Sequence, residues 1–156
     1  DYESPDDCPE LIKIVKETAD EAENCQDHMA RIKKEIEKRL NEKVLAIYPI
    51  AKYEHGGISY SRGEKHGFDY SNNGFYIITA KSAERLGIPK KDFEKVIDEE
   101  LKIFNKWCNG EIYRFTLYNK AGEFEDSCSG FYDIEDIREY LPGEWKKEDL
   151  YQYLRN

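Results

Sequence analysis

The chain has 156 residues, a length that fits one ordinary domain with a single sizeable core. Charged residues make up 37% and hydrophobic ones 39%, but 12 Tyr, 7 Phe and 2 Trp supply large core pieces and exclude wholesale disorder. The net charge of −9 excludes a basic nucleic-acid footprint, and no apolar run approaches the roughly 18 residues that a membrane span needs.

Residues 1–43 read as one long amphipathic helix opened by Asp6-Asp7-Cys8-Pro9, a cap followed by proline. Leu11, Val15, Thr18, Ala22, Cys25, Met29, Ile32 and Ile36 recur at alternating steps of four and three, a heptad seam that is weak at Thr18, Ala22 and Cys25. Two arrangements satisfy such a seam: the helix folds back on its own domain, or it projects and pairs with a second copy. Its charge is split. Residues 1–27 balance at −8 and residues 28–43 at +3. The helix dipole favours that order, and so does antiparallel pairing of acid half against basic half.

Residues 44–156 read as a single α+β domain. Residues 44–53 predict a strand in which Pro49 demands an edge or a bulge. His55-Gly56-Gly57 predicts a turn into a second short strand, and residues 65–70 a short strand or loop. Ser71-Asn72-Asn73-Gly74 predicts a turn before a strand at 75–79. Thr79 or Ser82 caps a short helical turn ending at Leu86-Gly87, and Pro89 marks the break. Over 90–108, Phe93, Val96, Ile97, Leu101, Phe104 and Trp107 form one helical stripe that Asn109-Gly110 stops. A hairpin follows, with strands at 112–118 and 123–128 about Asn119-Lys120-Ala121-Gly122, and Phe124 and Cys128 on one face. Gly130 ends the second strand, and two short helices near 134–141 and 146–155 flank Pro142-Gly143. The expected fold is a small antiparallel sheet from 44–79 and 111–128, covered by the 90–108 helix. Tyr113, Phe115 and Leu117 are expected against Phe93, Ile97 and Leu101.

Chemistry-bearing residues are few. Cys8, Cys25, Cys108 and Cys128 match no zinc or redox spacing, and a chain of this size does not need staples, so buried, reduced thiols and a cytoplasmic setting are expected. Cys128 and His55 are the candidate nucleophile and base for an enzyme reading, against a small buried thiol and a turn histidine. A metal site from His55, His66 and Cys108 or Cys128 has no supporting ligand spacing, so neither metal nor cofactor is expected. Tyr53, Tyr60, Tyr70 and Tyr76 could stack bases only if Lys52, Arg62 and Lys65 clustered; packing against helices is the expected role. Glu10, Glu17, Asp20, Glu21, Glu23 and Asp27 flank the apolar seam and are the expected binding residues for a basic partner surface.

Three segments carry a resemblance. Tyr53-Glu54-His55-Gly56-Gly57-Ile58-Ser59 resembles a Tyr-x-His-Ser/Gly-Gly-Ile stretch in small uncharacterised proteins of phages and integrated mobile elements. Gly110-Glu111-Ile112-Tyr113-Arg114-Phe115 and Asp126-Ser127-Cys128-Ser129-Gly130-Phe131-Tyr132 match that group's next two segments in order and interval, with Ser129 where the group usually has Trp. The match spans about residues 44–140 and omits the N-terminal helix. The resemblance assigns no catalytic role. It implies an accessory protein in a bacterial cytoplasm that binds a host protein, by analogy a counter-defence inhibitor of a CRISPR or restriction nuclease whose acids take the place of DNA phosphates. A Cys128–His55 enzyme and an oligomeric scaffold, homodimeric through the N-terminal helix, are the alternatives. No direct nucleic-acid or membrane partner is expected.

Overall fold

Tyr76, Ile78 and Ile50 face one side of a three-stranded sheet, while Ile47, Phe75 and Ile77 face the other, so each side needs its own cover. The computed structural model describes residues 8–155 and supplies both covers with helices. Strands β1 (Val44–Glu54), β2 (Ile58–Arg62) and β3 (Tyr70–Thr79) form an antiparallel sheet in the order β2-β1-β3. Helices α1 (Pro9–Ala19) and α2 (Cys25–Arg39) lie on one face, where Ile14, Ile32, Ile36 and Val44 are buried with Ile47, Phe75 and Ile77. Helix α3 (Ala80–Leu86) and helix α4 (Phe93–Cys108) cover the other, where Phe93, Ile97 and Leu101 bury against Ile50, Ile78, Tyr48 and Tyr76. The fold is α+β.

The long N-terminal helix is not formed. The chain breaks at 20–24, inside the weak stretch of the seam, and Asn24 caps the new start by accepting a bond from the Asp27 N–H at 3.0 Å. Leu11, Val15, Ile32 and Ile36 of the seam do turn toward the sheet, because α1 and α2 fold back as neighbours, but the most buried residue of α1 is Ile14, which lies off the seam. The acid and basic halves then meet within one chain: Arg39 bonds Glu17 at 2.5 Å, and Arg31 bonds Glu21 at 2.9 Å. Asp6 and Asp7 lie outside the described residues. Cys8 occupies the cap position without a side-chain bond.

Pro49 sits in the middle strand, yet at an effective edge. β2 pairs with β1 only from Ala51 onward, and beside Pro49 the sheet receives just the Gly63 N–H, which donates to the Pro49 carbonyl at 2.7 Å. A residue's N–H and C=O point to the same side of a strand, so the missing proline N–H faces a side where no strand asks for it. The turn expected at 71–74 is absent, since β3 runs through it. Gly74 is instead a close approach: a Cβ there would lie 3.2 Å from both the Ile50 Cβ and its carbonyl. The Thr79–Ser82 capping box and the left-handed Gly87 (φ 64°) bound α3 as the residue types require.

The second β element stands apart from the first. β4 (Tyr113–Tyr118) and β5 (Phe124–Phe131) form their own two-stranded sheet, not an extension of the first one. Tyr113, Phe115 and Leu117 pack against Phe131, Ile134, Ile137, Leu141, Leu150 and Trp145, and not against the α4 stripe, which β1 and β3 already cover. The tail forms single 3-10 turns at Glu135–Tyr140, Trp145–Lys147 and Leu150–Tyr153 in place of two short α-helices; Pro142-Gly143 separates the first from the others. Gly130 (φ 96°) does not end the strand but bulges it between the Tyr113–Phe131 and Arg114–Ser129 pairs. A second irregularity sets Phe124 opposite Tyr118 while Cys128 faces Phe115, so Phe124 and Cys128 do not share a face. Lys106 ties this unit to α4, donating to the Tyr132 carbonyl at 2.6 Å.

Two cores predict two responses. Ile137→Ala should cost about 3 kcal/mol, as truncation of a buried Ile does. In hydrogen exchange that loss should appear at the amides of β4 and β5 and leave those of β1 and β3 protected. Equal loss in both sheets would contradict the division.

Candidate interaction surfaces

The expected acidic residues divide in two. Glu17, Glu21 and Asp27 are held by Arg39 and Arg31 of α2, with Lys13 also 3.7 Å from Glu17. The Arg39 hydrogen bond holds the Glu17 carboxyl below its usual range, and the Arg31 bond does the same for Asp27. Glu10, Asp20 and Glu23 remain exposed, and no ion pair within 4 Å holds them among the described residues. Three of the six carboxylates are thus engaged, Glu17 between the two helices, Glu21 from the connector and Asp27 within α2, and the other three face solvent.

The candidate enzyme pair is not assembled. His55 projects from the turn between β1 and β2, its Nδ1 3.5 Å from Asp69 Oδ1. Cys128 lies on β5, in the other sheet, and its Sγ approaches only the Ser129 carbonyl at 3.9 Å. No hydrogen bond joins the two among the described residues. Cys128 is exposed, against the buried thiol expected of it, because its strand has neither face covered along 124–130. Cys25 and Cys108 are half-buried, and burial pushes both thiols up; the Glu64 carboxylate beside Cys25 adds to the effect. Such thiols are poor nucleophiles. Among the described residues no three His, Cys, Asp or Glu side chains converge as metal ligands, and no helix is long and apolar enough to cross a membrane.

The tyrosines mostly pack. Tyr60 tilts against Phe104 with centroids 5.2 Å apart, and the Tyr76 hydroxyl bonds the Glu100 carboxylate of α4. Tyr53 and Tyr70 pair at 5.0 Å near the His55 turn. Of the cations beside them, Lys52 pairs with Glu54, and Arg62 with Asp98 and Glu94.

A groove of about 590 Å³ runs between β2 and α4, lined by Ser59, Arg62, Lys102, Asn105 and Lys106. A smaller hollow of about 220 Å³ gathers Cys25, His28, Glu64 and Asn72. His28 was silent in the sequence. Its Nε2 lies 3.0 Å from the Val15 carbonyl, which can only accept, so Nε2 carries a proton and ties α2 to α1.

Among the described residues the most exposed large hydrophobic side chain is Phe68, in the β2–β3 loop, fully in solvent. Its backbone setting is fixed on both sides. The Asn72 side chain accepts from the Lys65 N–H at 2.9 Å and donates to the Lys65 carbonyl at 2.8 Å, while the Glu54 N–H donates to the Asp69 carbonyl at 3.0 Å. The sequence reads 65–70 as a short strand or loop and does not single out Phe68. The available signal was an aromatic between Gly67 and Asp69 with no alternating neighbours to share a face. A second apolar patch is the cross-strand pair Tyr118 and Phe124, 60% and 63% exposed, beside Glu123, Glu125 and Asp126. Residues 111–156 carry eleven acids against six bases, a balance of −5.

Compared with protein-family models, curated proteins and solved structures, the chain matches none.

The Glu17 and Asp27 bonds predict an acid response. Their folded-state values lie below the unfolded ones, so their stabilisation is fully present above the ordinary carboxylate range, about pH 4, and is lost as pH falls through the folded values. The difference in thermal midpoint between the wild type and a Glu17→Gln, Asp27→Asn variant should therefore shrink between pH 7 and pH 3. A difference that does not change with pH would show that the two carboxylates contribute nothing.

Proposed function

We propose that this chain is a non-enzymatic binding protein that attaches to another protein. The finer reading is the one its segment resemblance implies: an accessory protein of a phage or mobile element, acting in a bacterial cytoplasm on a host protein such as a CRISPR or restriction nuclease. The observation that carries the binding reading is Phe68. An aromatic side chain left wholly in water gives up the apolar burial worth about 2 kcal/mol that a core position would supply. Here the loop beneath it is held by bonds at Lys65 and Asp69, so the backbone that carries the ring is held in place. An aromatic on a braced backbone suits a partner's pocket, because little loop ordering remains to be done on association. The exposed carboxylates Glu10, Asp20 and Glu23 and the acidic 111–156 segment favour a partner with a basic surface.

Phe68→Ser removes no contact that holds this chain together, so its thermal midpoint should stay within about 2 °C of wild type. The immobilised wild-type chain should retain a specific protein from host extract, in a salt-sensitive manner. The Phe68→Ser chain should lose it. If both retain the same proteins, Phe68 is not an anchor; if neither retains any, the binding reading fails.

A further inference from the structure

Strand β5 differs from β2, the short edge strand of the larger sheet, in how its outer side is finished. On β2, the outward backbone groups of Ile58 and Tyr60 are taken by the Asn109 and Asn105 side chains of α4. On β5, six of the eight residues pair with β4, and on one side only. Among the described residues, no backbone hydrogen bond from outside the β4 ladder reaches 124–131. Residues 124–130 are exposed throughout. A strand with an unpaired row of N–H and C=O groups is a template for another strand.

The charges along it choose the occupant. Glu123, Glu125 and Asp126 lie on or beside β5, and no Lys or Arg stands within 4 Å of them among the described residues. The Asp126 carboxylate instead accepts from the neighbouring Ser127 N–H at 2.8 Å, filling a backbone donor with a side chain. A second copy would set acid beside acid, which is unfavourable across a strand pair. An extended segment carrying lysine or arginine would supply a carbonyl for that N–H and a cation for the released carboxylate. Tyr118 and Phe124 would offer its apolar side chains a platform at one end.

We propose that the outer edge of β5 takes an extended lysine- or arginine-bearing segment of a partner protein as an added β-strand. This deepens the binding reading and rests on it. Main-chain pairing supplies the affinity and the acidic rim supplies the selection.

The test uses the full chain and three acetylated octapeptides: alternating Lys-Val, alternating Glu-Val and alternating Lys-Pro, read by amide exchange. The Lys-Val peptide should slow exchange at 124–131 by about tenfold or more, with the Glu-Val peptide ineffective. The Lys-Pro peptide carries the same charge but lacks half of the backbone donors, so it too should fail. In the Glu125→Lys, Asp126→Lys variant the preference should move to the Glu-Val peptide. No protection at β5, equal protection by Lys-Pro, or a peptide-free dimer that protects 124–131 would each overturn the proposal. Phe68-dependent capture of a partner with β5 unprotected would sink this inference alone. Loss of both would remove the binding reading as well.

Discussion

Two asparagine side chains take the place of a missing strand, and the arrangement of the larger sheet depends on them. Asn105 accepts from the Tyr60 N–H at 2.6 Å and donates to the Tyr60 carbonyl at 2.9 Å. One turn later Asn109 repeats the pattern on Ile58, at 2.9 and 2.7 Å. The spacing matches because residues four apart share a helix face and residues two apart share a strand edge. Arg62 continues the row, its guanidinium on Asp98 at 3.1 Å and 5.7 Å from the centre of the Tyr48 ring. Each amide satisfies two half-exposed backbone groups, and each such bond contributes about 0.5–1.5 kcal/mol. The row fixes α4 against β2, and α4 in turn delivers Phe93, Ile97 and Leu101 to the core above β1 and β3.

On the other face, charge does a related job more weakly. The acid-early, base-late order of residues 9–39 is the complement that lets α1 fold back on α2, with Arg39 reaching Glu17 and Arg31 reaching Glu21. Exposed pairs of this kind contribute little each. The pairing is secured by Ile32 and Ile36 of the seam and by Ile14, which lies off it, all packed with Val44, Ile47, Phe75 and Ile77. The apolar stripe that could have paired two chains is spent on the chain's own sheet.

Local chemistry was legible in the sequence where one short segment decides it. The α4 stripe, a cap at Thr79 or Ser82, the Gly87 stop and the Asn119–Gly122 turn are read from residue type and spacing alone. Non-local choices were not. Alternation gives Tyr113, Phe115 and Leu117 a buried face without saying that Ile137 and Leu150, rather than Ile97, will cover it. A heptad pattern runs undisturbed through a chain reversal, so the break at 20–24 was hidden. Gly74 looked like a turn because glycine serves both turns and close approaches. Asn105 and Asn109 carried a faint signal: two poor helix formers, four apart, off the apolar stripe. Of the site residues, the acids were visible as charge, whereas Phe68 became notable only once its loop was seen to be braced.

The molecule therefore closes one sheet edge with its own side chains, leaves another open, and holds one aromatic out in water on a fixed loop. Those choices make sense together only if the asparagine row is real, since it sets β2, the loop that follows it and the helix beneath. Amide exchange at Ile58 and Tyr60 tests this directly. In the wild type both amides should exchange at least about a hundredfold more slowly than exposed amides. In Asn105→Ala the Tyr60 amide should lose most of that protection while β3 stays protected. Tyr60 and Ile58 amides that exchange as freely as an open edge in the wild type would contradict the account.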